Sequence, residues 1–577
     1  MGRAVLALVV SLVSSPKERL AAQEGQIQGV VLVGETPVDD ADVVIPGLGR
    51  RIRVDGAGRF SFDQVPAGSY GVEAQSVRWG RGVGTVEVLA GQTVRITILV
   101  ESIFHLDEMI VSASVGALRR SEAYQPASVV TSRDLVVAGE ASLGETLSRE
   151  PGAWSTYFGP GASRPVIRGI GGDRVRILEG GIGIGDASST SPDHAVGVEA
   201  RSADRIEVIR GPATLLYGSS AVGGAVNVLD SRIAREPPTT AVSGFGEGLV
   251  GSVSDERTGS AGITLKKGAV VITASGLWRD ASDYAIPGFA DVDAIPGQTV
   301  ENVLVNSALQ SRRGTGGVTL VDDRGYIGIS VSAQRSDYGV PGEEVITIDL
   351  DQDRLDFEGA LRFGAGVFRN LKGRFGFTDY EHVELEGQEI GTQFFSDYFE
   401  GRLESEHSFG EGNQGTLGVQ FSARDFEAIG DEAFVPPTKT RATALFVYET
   451  LAATEEVRVQ GGLRFERQAS ESVMTWIRRT DNAVSASLGV NLDASDVVTF
   501  SASVSRSIKL PNAEELFSNG PHAATQAFEI GNPDLVPETA LGIDLTTHVH
   551  GDRFRGSASF FTTGFSDYSR RRRPGSR

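Results

Sequence analysis

Residues 204–228 read DRIEVIRGPATLLYGSSAVGGAVNV, and this stretch decides the fold. Apolar residues, charges and glycines follow one another there in an order that a generic glycine-rich loop does not need. Glycine permits tight turns and the close approach of two backbones. Glu207 and Arg210 are charges that a compact domain could pair with a polar wall around it. The whole ordered run, and not one pair of glycines, therefore indicates a specific buried domain.

The surrounding residues, 118–232, have the pattern of a compact mixed α/β domain. Residues 142–149 read SLGETLSR, which predicts a short helix with Ser142 as N-cap and Glu145 at the third helical position. The short runs PVIRG at 165–169 and RVRIL at 174–178 follow in the same domain. We take 118–232 as one domain.

From about residue 240 onward the apolar residues recur at every second position. Ile327, Ile329 and Val331 alternate with small or polar residues, as do Val498 and Phe500 farther along the chain. Strands that are apolar on one face and polar on the other are typical of a transmembrane antiparallel β-barrel. A soluble sandwich has the same period, but the number of strands and their polar second face favour a barrel at 240–568. The fold class predicted is therefore mainly β.

The N-terminal part shows a secretion signal and a second β domain. Arg3 precedes the apolar run 4–13, and Leu20-Ala21-Ala22 offers a cleavage site, which predicts a signal peptide at 1–22. Short β runs separated by turns rich in glycine and proline then fill 26–101 and predict a small β-sandwich.

Residues 204–228 resemble the plug domain of TonB-dependent outer-membrane receptors almost residue for residue. The motifs GRFSF at 58–62 and VPAGSY at 65–70 resemble the carboxypeptidase-regulatory-like domain that often precedes the plug. The resemblance implies a plugged barrel in the outer membrane of a Gram-negative bacterium. The barrel would import a scarce nutrient, and the N-terminal domain would be periplasmic.

A short segment between the sandwich and the plug resembles a TonB box. It consists of Asp107, Glu108, Met109, Ile110, Val111, Ser112 and Ala113. The resemblance implies that this segment binds TonB, which the ExbB/ExbD complex energises. Physically, such a segment can add as a strand to the edge of a partner's sheet.

The end of the sequence departs from the family pattern. Plugged transporters close with about 22 strands, and about 330 residues at 240–568 are too few for that number. Residues 569–577 read SRRRRPGSR, and four adjacent arginines do not suit a membrane strand. We therefore expect that the last strands of the barrel are missing and that 569–577 is a basic tail foreign to it.

Three loops are similar to those of the zinc-uptake (ZnuD-type) branch of the family. They are SSTSPDHA at 188–195, IGDEAFVPP at 429–437 and EELFSNGPHA at 514–523. In that branch an Asp-His pair of the plug, a carboxylate of the barrel and a histidine of the barrel hold the metal. The resemblance implies that Asp193, His194, His522 and Glu432 bind zinc as the transported ligand. The segment 337–345 departs from this branch, because it carries carboxylates and no histidine.

Composition limits the other functions. A net charge of −21 favours cations near the surface and argues against nucleic acid. With no cysteine and 3 methionines, a soft Cu(I) site is not expected. No G-x-S-x-G, H-E-x-x-H or Walker motif indicates an enzyme, and no resident cofactor is expected. A receptor for a siderophore or another organic ligand is the alternative. His407 and His550 are interpreted as surface residues.

Overall fold

The computed structural model describes most of the chain between residues 24 and 569. The described ranges are 24–33, 36–76, 80–100, 109–110, 118–119, 126–211, 214–238, 240–291, 299–342, 346–363, 366–409, 412–430, 433–495, 497–522, 527–550 and 555–569. The predicted signal peptide, Glu432, residues 107–108 and 111–113 of the predicted TonB box, and the tail from residue 570 lie outside the described residues.

The N-terminal domain is the expected pair of sheets around one apolar core. Its strands are β1 (Glu24–Val33), β2 (Thr36–Pro37), β3 (Ala41–Ile45), β4 (Arg50–Arg53), β5 (Arg59–Pro66), β6 (Gly68–Ser76), β7 (Gly80–Val88) and β8 (Thr93–Leu99). One sheet has the order β2-β1-β5 with β8 parallel to β1, and the other has the order β4-β3-β6-β7. Ile27 and Phe60 of the first sheet share their core with Val43 and Val72 of the second. Farther along the chain, β9 (Met109–Ile110) pairs with β10 (Leu118–Arg119).

The plug is a mixed domain around a five-stranded sheet. Its elements are β11 (Ala127–Thr131), α1 (Ser132–Ala138), α2 (Leu143–Leu147), β12 (Ala153–Ser155), β13 (Pro165–Ile167), a 3-10 helix (Gly172–Arg174), β14 (Val175–Glu179), β15 (Ile182–Gly183), a second 3-10 helix (Ala200–Ser202), β16 (Arg205–Arg210), α3 (Thr214–Tyr217), a third 3-10 helix (Ser219–Ala221) and β17 (Gly224–Leu229). The sheet order is β11-β16-β17-β14-β15. Gly224, at φ +150°, allows β16 and β17 to meet, because a Cβ there would lie 2.5 Å from the carbonyl oxygen of Ile209.

The predicted helix after Ser142 is present but shorter and capped differently. It spans Leu143–Leu147, and Ser142 is its N-cap residue without a side-chain capping bond. The Ser142 hydroxyl contacts Ser163 instead, and Ser163 Oγ accepts the Glu145 N–H at 3.2 Å. A residue 18 positions later therefore replaces the local capping box.

The barrel wall is one antiparallel sheet, and a few short elements lie between its strands in the sequence. In chain order the elements are β18 (Val242–Gly251), β19 (Glu256–Lys267), β20 (Val270–Ala281), β21 (Tyr284–Ala285), β22 (Val303–Leu304), β23 (Leu309–Asp322), β24 (Gly325–Val340), β25 (Ile346–Arg362), β26 (Phe368–Glu386), β27 (Glu389–Ser408), β28 (Gln414–Gly430), β29 (Thr438–Ala452), β30 (Val457–Ser472), β31 (Arg478–Ser495), β32 (Val498–Lys509), α4 (Ala513–Phe517), β33 (Asn519–His522), β34 (Ala527–Ile530), β35 (Glu538–His550) and β36 (Arg555–Ser566). Fifteen of these strands form the wall, from β18 at one edge to β36 at the other.

The period-two pattern has the predicted consequence. On β24, Ile327 and Val331 are exposed on the outer face, whereas Ser330 and Ser332 are buried on the inner face. Asp349 and Asp351, just after the carboxylate-bearing segment 337–345, lie on strand β25 and are exposed. In the described part of the chain, no helix is long and apolar enough to cross a membrane.

Ion pairs join the plug to the inner wall. Glu179 of the plug lies against Arg313 and Arg354 of the wall and against Arg232. Burial would raise the pKa of Glu179, but these three arginines hold it below its usual range. The two charges singled out in the sequence, Glu207 and Arg210, form ion pairs of a different kind.

Glu207 pairs with Arg205 at 2.9 Å, and Arg210 pairs with Glu150 at 3.4 Å. Both partners belong to the plug itself. Strand β16, which carries both charges, lies between β11 and β17 inside the plug sheet, so its side chains meet plug neighbours first.

Candidate functional site

A buried polar loop of the plug, residues 186–197, reaches the barrel wall after β15. Asp186 accepts hydrogen bonds from the hydroxyl of Ser188 at 2.9 Å and from the N–H of Gly197 at 2.8 Å, which closes the loop. The N–H of Ala195 donates to the hydroxyl of Tyr338 on β24 at 2.8 Å. These contacts satisfy polar groups that would otherwise be costly to bury. The loop therefore holds His194 in a defined position at the wall.

His194 meets a histidine and a carboxylate of strand β26. His382 and Glu384 are two residues apart and so point to the same inner face of the strand. His194 Nε2 lies 2.9 Å from Glu384 Oε1, and His382 Nε2 lies 3.8 Å from the same oxygen. Ligand atoms of the three residues all lie within 4.8 Å of one another. We call His194, His382 and Glu384 the His-His-Glu cluster.

The cluster is almost closed to solvent. His194 is 1% exposed and His382 is 0% exposed. The two imidazole rings meet edge to face with their centroids 4.2 Å apart. The ring of Phe394 stacks on His382 with a centroid distance of 4.5 Å. Aromatic contacts of this kind fix ring planes. The three ligand atoms therefore converge without long flexible side chains.

Hydrogen bonds on the far side of each ring orient the two imidazoles. His194 Nδ1 donates to the carbonyl oxygen of Ala187 at 3.1 Å, which leaves Nε2 to face Glu384. His382 Nδ1 is hydrogen-bonded to the Tyr380 hydroxyl at 2.9 Å. His382 Nε2 is buried and has no hydrogen-bond partner among the described residues. Partners on the outer nitrogen are the usual way in which a protein orients a metal-binding histidine.

The charge state of His194 follows from its neighbours. Burial disfavours the imidazolium, but the hydrogen bond to Glu384 and the charge of Asp193 outweigh burial and raise the pKa of His194 above its usual value. Both ring nitrogens face oxygens that only accept, so the protonated ring donates to each. A metal ion between His194 and Glu384 would take the place of the Nε2 proton.

Asp193 of this loop and His522, two further residues predicted from the resemblance, have a different arrangement. His522 stacks on Phe434 at 4.2 Å, and its Nδ1 lies 2.7 Å from Glu529 Oε1. Its Nε2 is 2.7 Å from the hydroxyl of Ser191, and that hydroxyl donates to Asp193. Asp193 and His522 are thus joined through Ser191, whereas His194 belongs to the His-His-Glu cluster. Their role as metal ligands, like that of Glu432, stays a prediction.

The structure places two further histidines, His382 and His407, where they were not expected from the sequence. His382 was not singled out there, although the alternation His382-Val383-Glu384 on a period-two strand puts both ligand types on one face. His407 was expected at the surface, and this is wrong: it is 6% exposed, and its Nε2 lies 2.9 Å from Glu449 Oε1. His407 lies on the inner face of the wall. The sequence pattern alone does not distinguish this face from one that is open to solvent. The side chain of His550 lies outside the described residues.

Family models match the two domains separately. The model described as TonB dependent receptor-like, beta-barrel matches residues 278–576, and the model of the TonB-dependent Receptor Plug Domain matches residues 119–225. The first match alone spans more than half of the chain.

Solved structures with the same fold include receptors for different ligands. The copper transporter OprC is 18% identical with a TM-score of 0.65, and the match covers 76% of this chain and 70% of that chain. A double mutant of the Serratia marcescens hemophore receptor HasR, solved with its hemophore HasA and heme, is 14% identical with a TM-score of 0.65 and coverages of 77% and 73%. The alcaligin receptor FauA of Bordetella pertussis is 17% identical with a TM-score of 0.58 and coverages of 80% and 76%.

At these identities the likeness concerns the fold alone. The matched domains nevertheless account for the plug and for the wall that surrounds it. The chain therefore belongs to the TonB-dependent receptor family, whose members are import receptors of the Gram-negative outer membrane and not enzymes.

Proposed function

We propose that this receptor imports a divalent transition-metal ion, and that zinc is its substrate. The observation that supports the proposal is the His-His-Glu cluster, in which ligands from the plug and from the wall converge. Two imidazole nitrogens and one carboxylate oxygen form a set that zinc prefers, at about 2.0–2.2 Å from the ion. Three protein ligands also leave a coordination position for water or an incoming group.

The division of the ligands between two domains suits transport. His194 belongs to the plug, whereas His382 and Glu384 belong to the wall. A movement of the plug would separate His194 from the other two ligands and weaken the hold on the ion. Tight capture and later release would then use the same cluster.

The ligand types bear on which metal the cluster would hold. Cu(I) prefers the sulfur of cysteine and methionine, which the cluster lacks. Met474 is 67% exposed and does not belong to the cluster. Cu²⁺ would bind such a set at least as strongly as Zn²⁺ in vitro. A zinc titration alone therefore tests the ligands, and uptake measurements with both metals test the substrate.

A matched pair of substitutions provides the test. Glu384→Gln removes a charged ligand from the cluster, and Glu449→Gln makes the same change in the His407 pair. We expect zinc affinity, measured by competition with a fluorescent chelator on the purified full-length receptor, to fall more than about 100-fold for the first variant. The second should bind zinc like the wild type. Equal affinities in all three proteins would contradict metal binding and favour an organic ligand.

Energy coupling is proposed to use Asp107–Ala113 as the segment that binds TonB. Pairing of strands depends on main-chain donors, and proline has no N–H to donate. We expect Ile110→Pro to abolish uptake of zinc by cells while zinc binding by the purified receptor stays unchanged. Ile110→Val is the matched control, because it keeps the backbone donor. Undiminished uptake by the proline variant would contradict the assignment.

A further inference from the structure

A cavity of about 230 Å³ separates the plug from the inner wall on the other side of the loop that holds His194. Asp186 and Ser188 line this cavity, whereas the carbonyl of Ala187 between them binds His194. The volume is many times what one water molecule needs. Its charged lining comes from the plug residues Arg164, Asp173, Arg176 and Asp186 and from the wall and loop residues Arg424, Arg464, Glu466, Lys509 and Glu514.

Four of the five cations of the lining have a carboxylate partner. The pairs are Arg176 with Glu400 at 2.7 Å, Arg424 with Glu514 at 3.1 Å, Arg464 with Glu466 at 2.7 Å and Lys509 with Glu515 at 2.6 Å. Arg164 differs from them. Its side chain makes no ion pair or hydrogen bond with any residue that the structure describes, although the residue is only 8% exposed.

Two carboxylates act on Arg164 through their charge, Asp186 and Asp173, and both already have other partners. Asp186 accepts hydrogen bonds from Ser188 and Gly197, one on each oxygen. Asp173 accepts from Asn512 at 2.7 Å and lies 3.1 Å from Lys509.

The backbone of Arg164 is fixed as well. Its N–H donates to the Thr156 hydroxyl at 3.0 Å, and its carbonyl accepts the Thr156 N–H at 3.0 Å. The plug therefore holds an arginine at the cavity with Asp186 and Asp173 nearby, but with no carboxylate in direct contact among the described residues. An unpaired charge away from bulk water is costly unless an opposite charge reaches it.

Two further unused groups at the cavity define the chemistry of a ligand. Arg464 Nη1 and Glu514 Oε2 belong to residues that line the cavity, and neither buried atom has a hydrogen-bond partner among the described residues. The first needs an acceptor, whereas the second needs a donor. A ligand that satisfies Arg164, Arg464 and Glu514 together carries negative charge and a hydrogen-bond donor, for which an O–H group is the simplest choice.

We propose that this cavity binds a small protonated oxyanion, of which hydrogen phosphate is the simplest. Arg164 and Arg464 donate to its oxygens, and Glu514 accepts its O–H. Guanidinium groups match the geometry of phosphate oxygens. Sulfate has the same shape and charge but no proton to donate, so Glu514 repels it. The site is separate from the His-His-Glu cluster, and the bound anion touches both the plug and the wall.

Calorimetric titration of the full-length, metal-free receptor with phosphate and with sulfate tests the proposal. We expect phosphate to bind at least about tenfold more tightly than sulfate. Arg164→Gln should weaken phosphate binding at least about tenfold, and Arg164→Lys, which keeps the charge but loses the fork of donors, should weaken it less. Glu514→Gln should reduce the preference for phosphate over sulfate.

Arg149→Gln is the matched control, because Arg149 is an exposed plug arginine paired with Glu140 at 2.6 Å. Thermal unfolding without phosphate shows whether each variant is folded, and zinc titration shows whether the metal cluster is intact. Absence of phosphate binding in the wild type, or equal phosphate affinity in wild type and Arg164→Gln, would overturn the proposal. Absence of zinc binding in the wild type would instead count against the proposed metal substrate.

Discussion

Two histidine–glutamate pairs at the inner face of the barrel wall, one of them shared with the plug, have nearly the same contact distance and different surroundings. His194 Nε2 and Glu384 Oε1 are 2.9 Å apart, and so are His407 Nε2 and Glu449 Oε1. Around the first pair, a second histidine completes a three-ligand group. Around the second pair, no such group exists in the part of the chain that the structure describes.

The two pairs also lie at opposite ends of the wall. Phe368, at the start of β26, is opposite His407, whereas His382 and Glu384 are near the end of the same strand. The neighbours of His407 are the rings of Phe368 and Phe409, and its partner Glu449 is 37% exposed. The plug supplies a ligand only at the first pair. A buried histidine beside a carboxylate therefore occurs in two places at this wall. The candidate site is distinguished by the convergence of ligands from two domains.

The largest expected effect comes from removing the ligand that the plug contributes. His194→Ala reduces the cluster to two residues of one strand, which makes it resemble the His407 pair. We expect zinc affinity of the purified receptor to fall more than about 100-fold, whereas His407→Ala leaves it unchanged. Chelator competition measures both. A loss of zinc affinity in the His407 variant as large as that in the His194 variant would remove the distinction between the two pairs.

A smaller effect is expected from the residue that orients His382. Tyr380→Phe removes the hydroxyl bound to His382 Nδ1 and leaves the ring packing in place. Partners of metal-binding histidines contribute about 10–100-fold to affinity, and we expect the lower end here because Phe394 also holds the ring. Tyr448→Phe, on the same wall, is the control. An unchanged zinc affinity in the Tyr380 variant would show that His382 does not bind the ion.

The sequence predicted the fold class because the patterns that indicate it are local. The ordered run at 204–228 and the alternation on β24 each depend on neighbours within a few residues. The cluster depends instead on a contact between positions 190 residues apart, His194 and Glu384. A resemblance between loops found His194, but it could not find His382 and Glu384, which lie on a strand. Whether a strand histidine such as His407 faces the plug, a ring or solvent is decided only when the strands of the wall pack around the plug.

The smallest expected effect on zinc affinity comes from a change at Ser191. This change tests whether the His-His-Glu cluster or the ligand set implied by the resemblance binds the ion. Ser191→Ala removes the hydroxyl between Asp193 and His522 and leaves both groups buried without their shared partner. Unfolding should become easier by about 1–3 kcal/mol, since buried polar groups lose a hydrogen bond. Zinc affinity should change less than about threefold, because the His-His-Glu cluster keeps every ligand. Chemical denaturation and chelator competition measure the two quantities. If Asp193 and His522 bind the ion instead, freeing them from Ser191 should raise zinc affinity, and an increase above about tenfold would transfer the site to Asp193, His194 and His522.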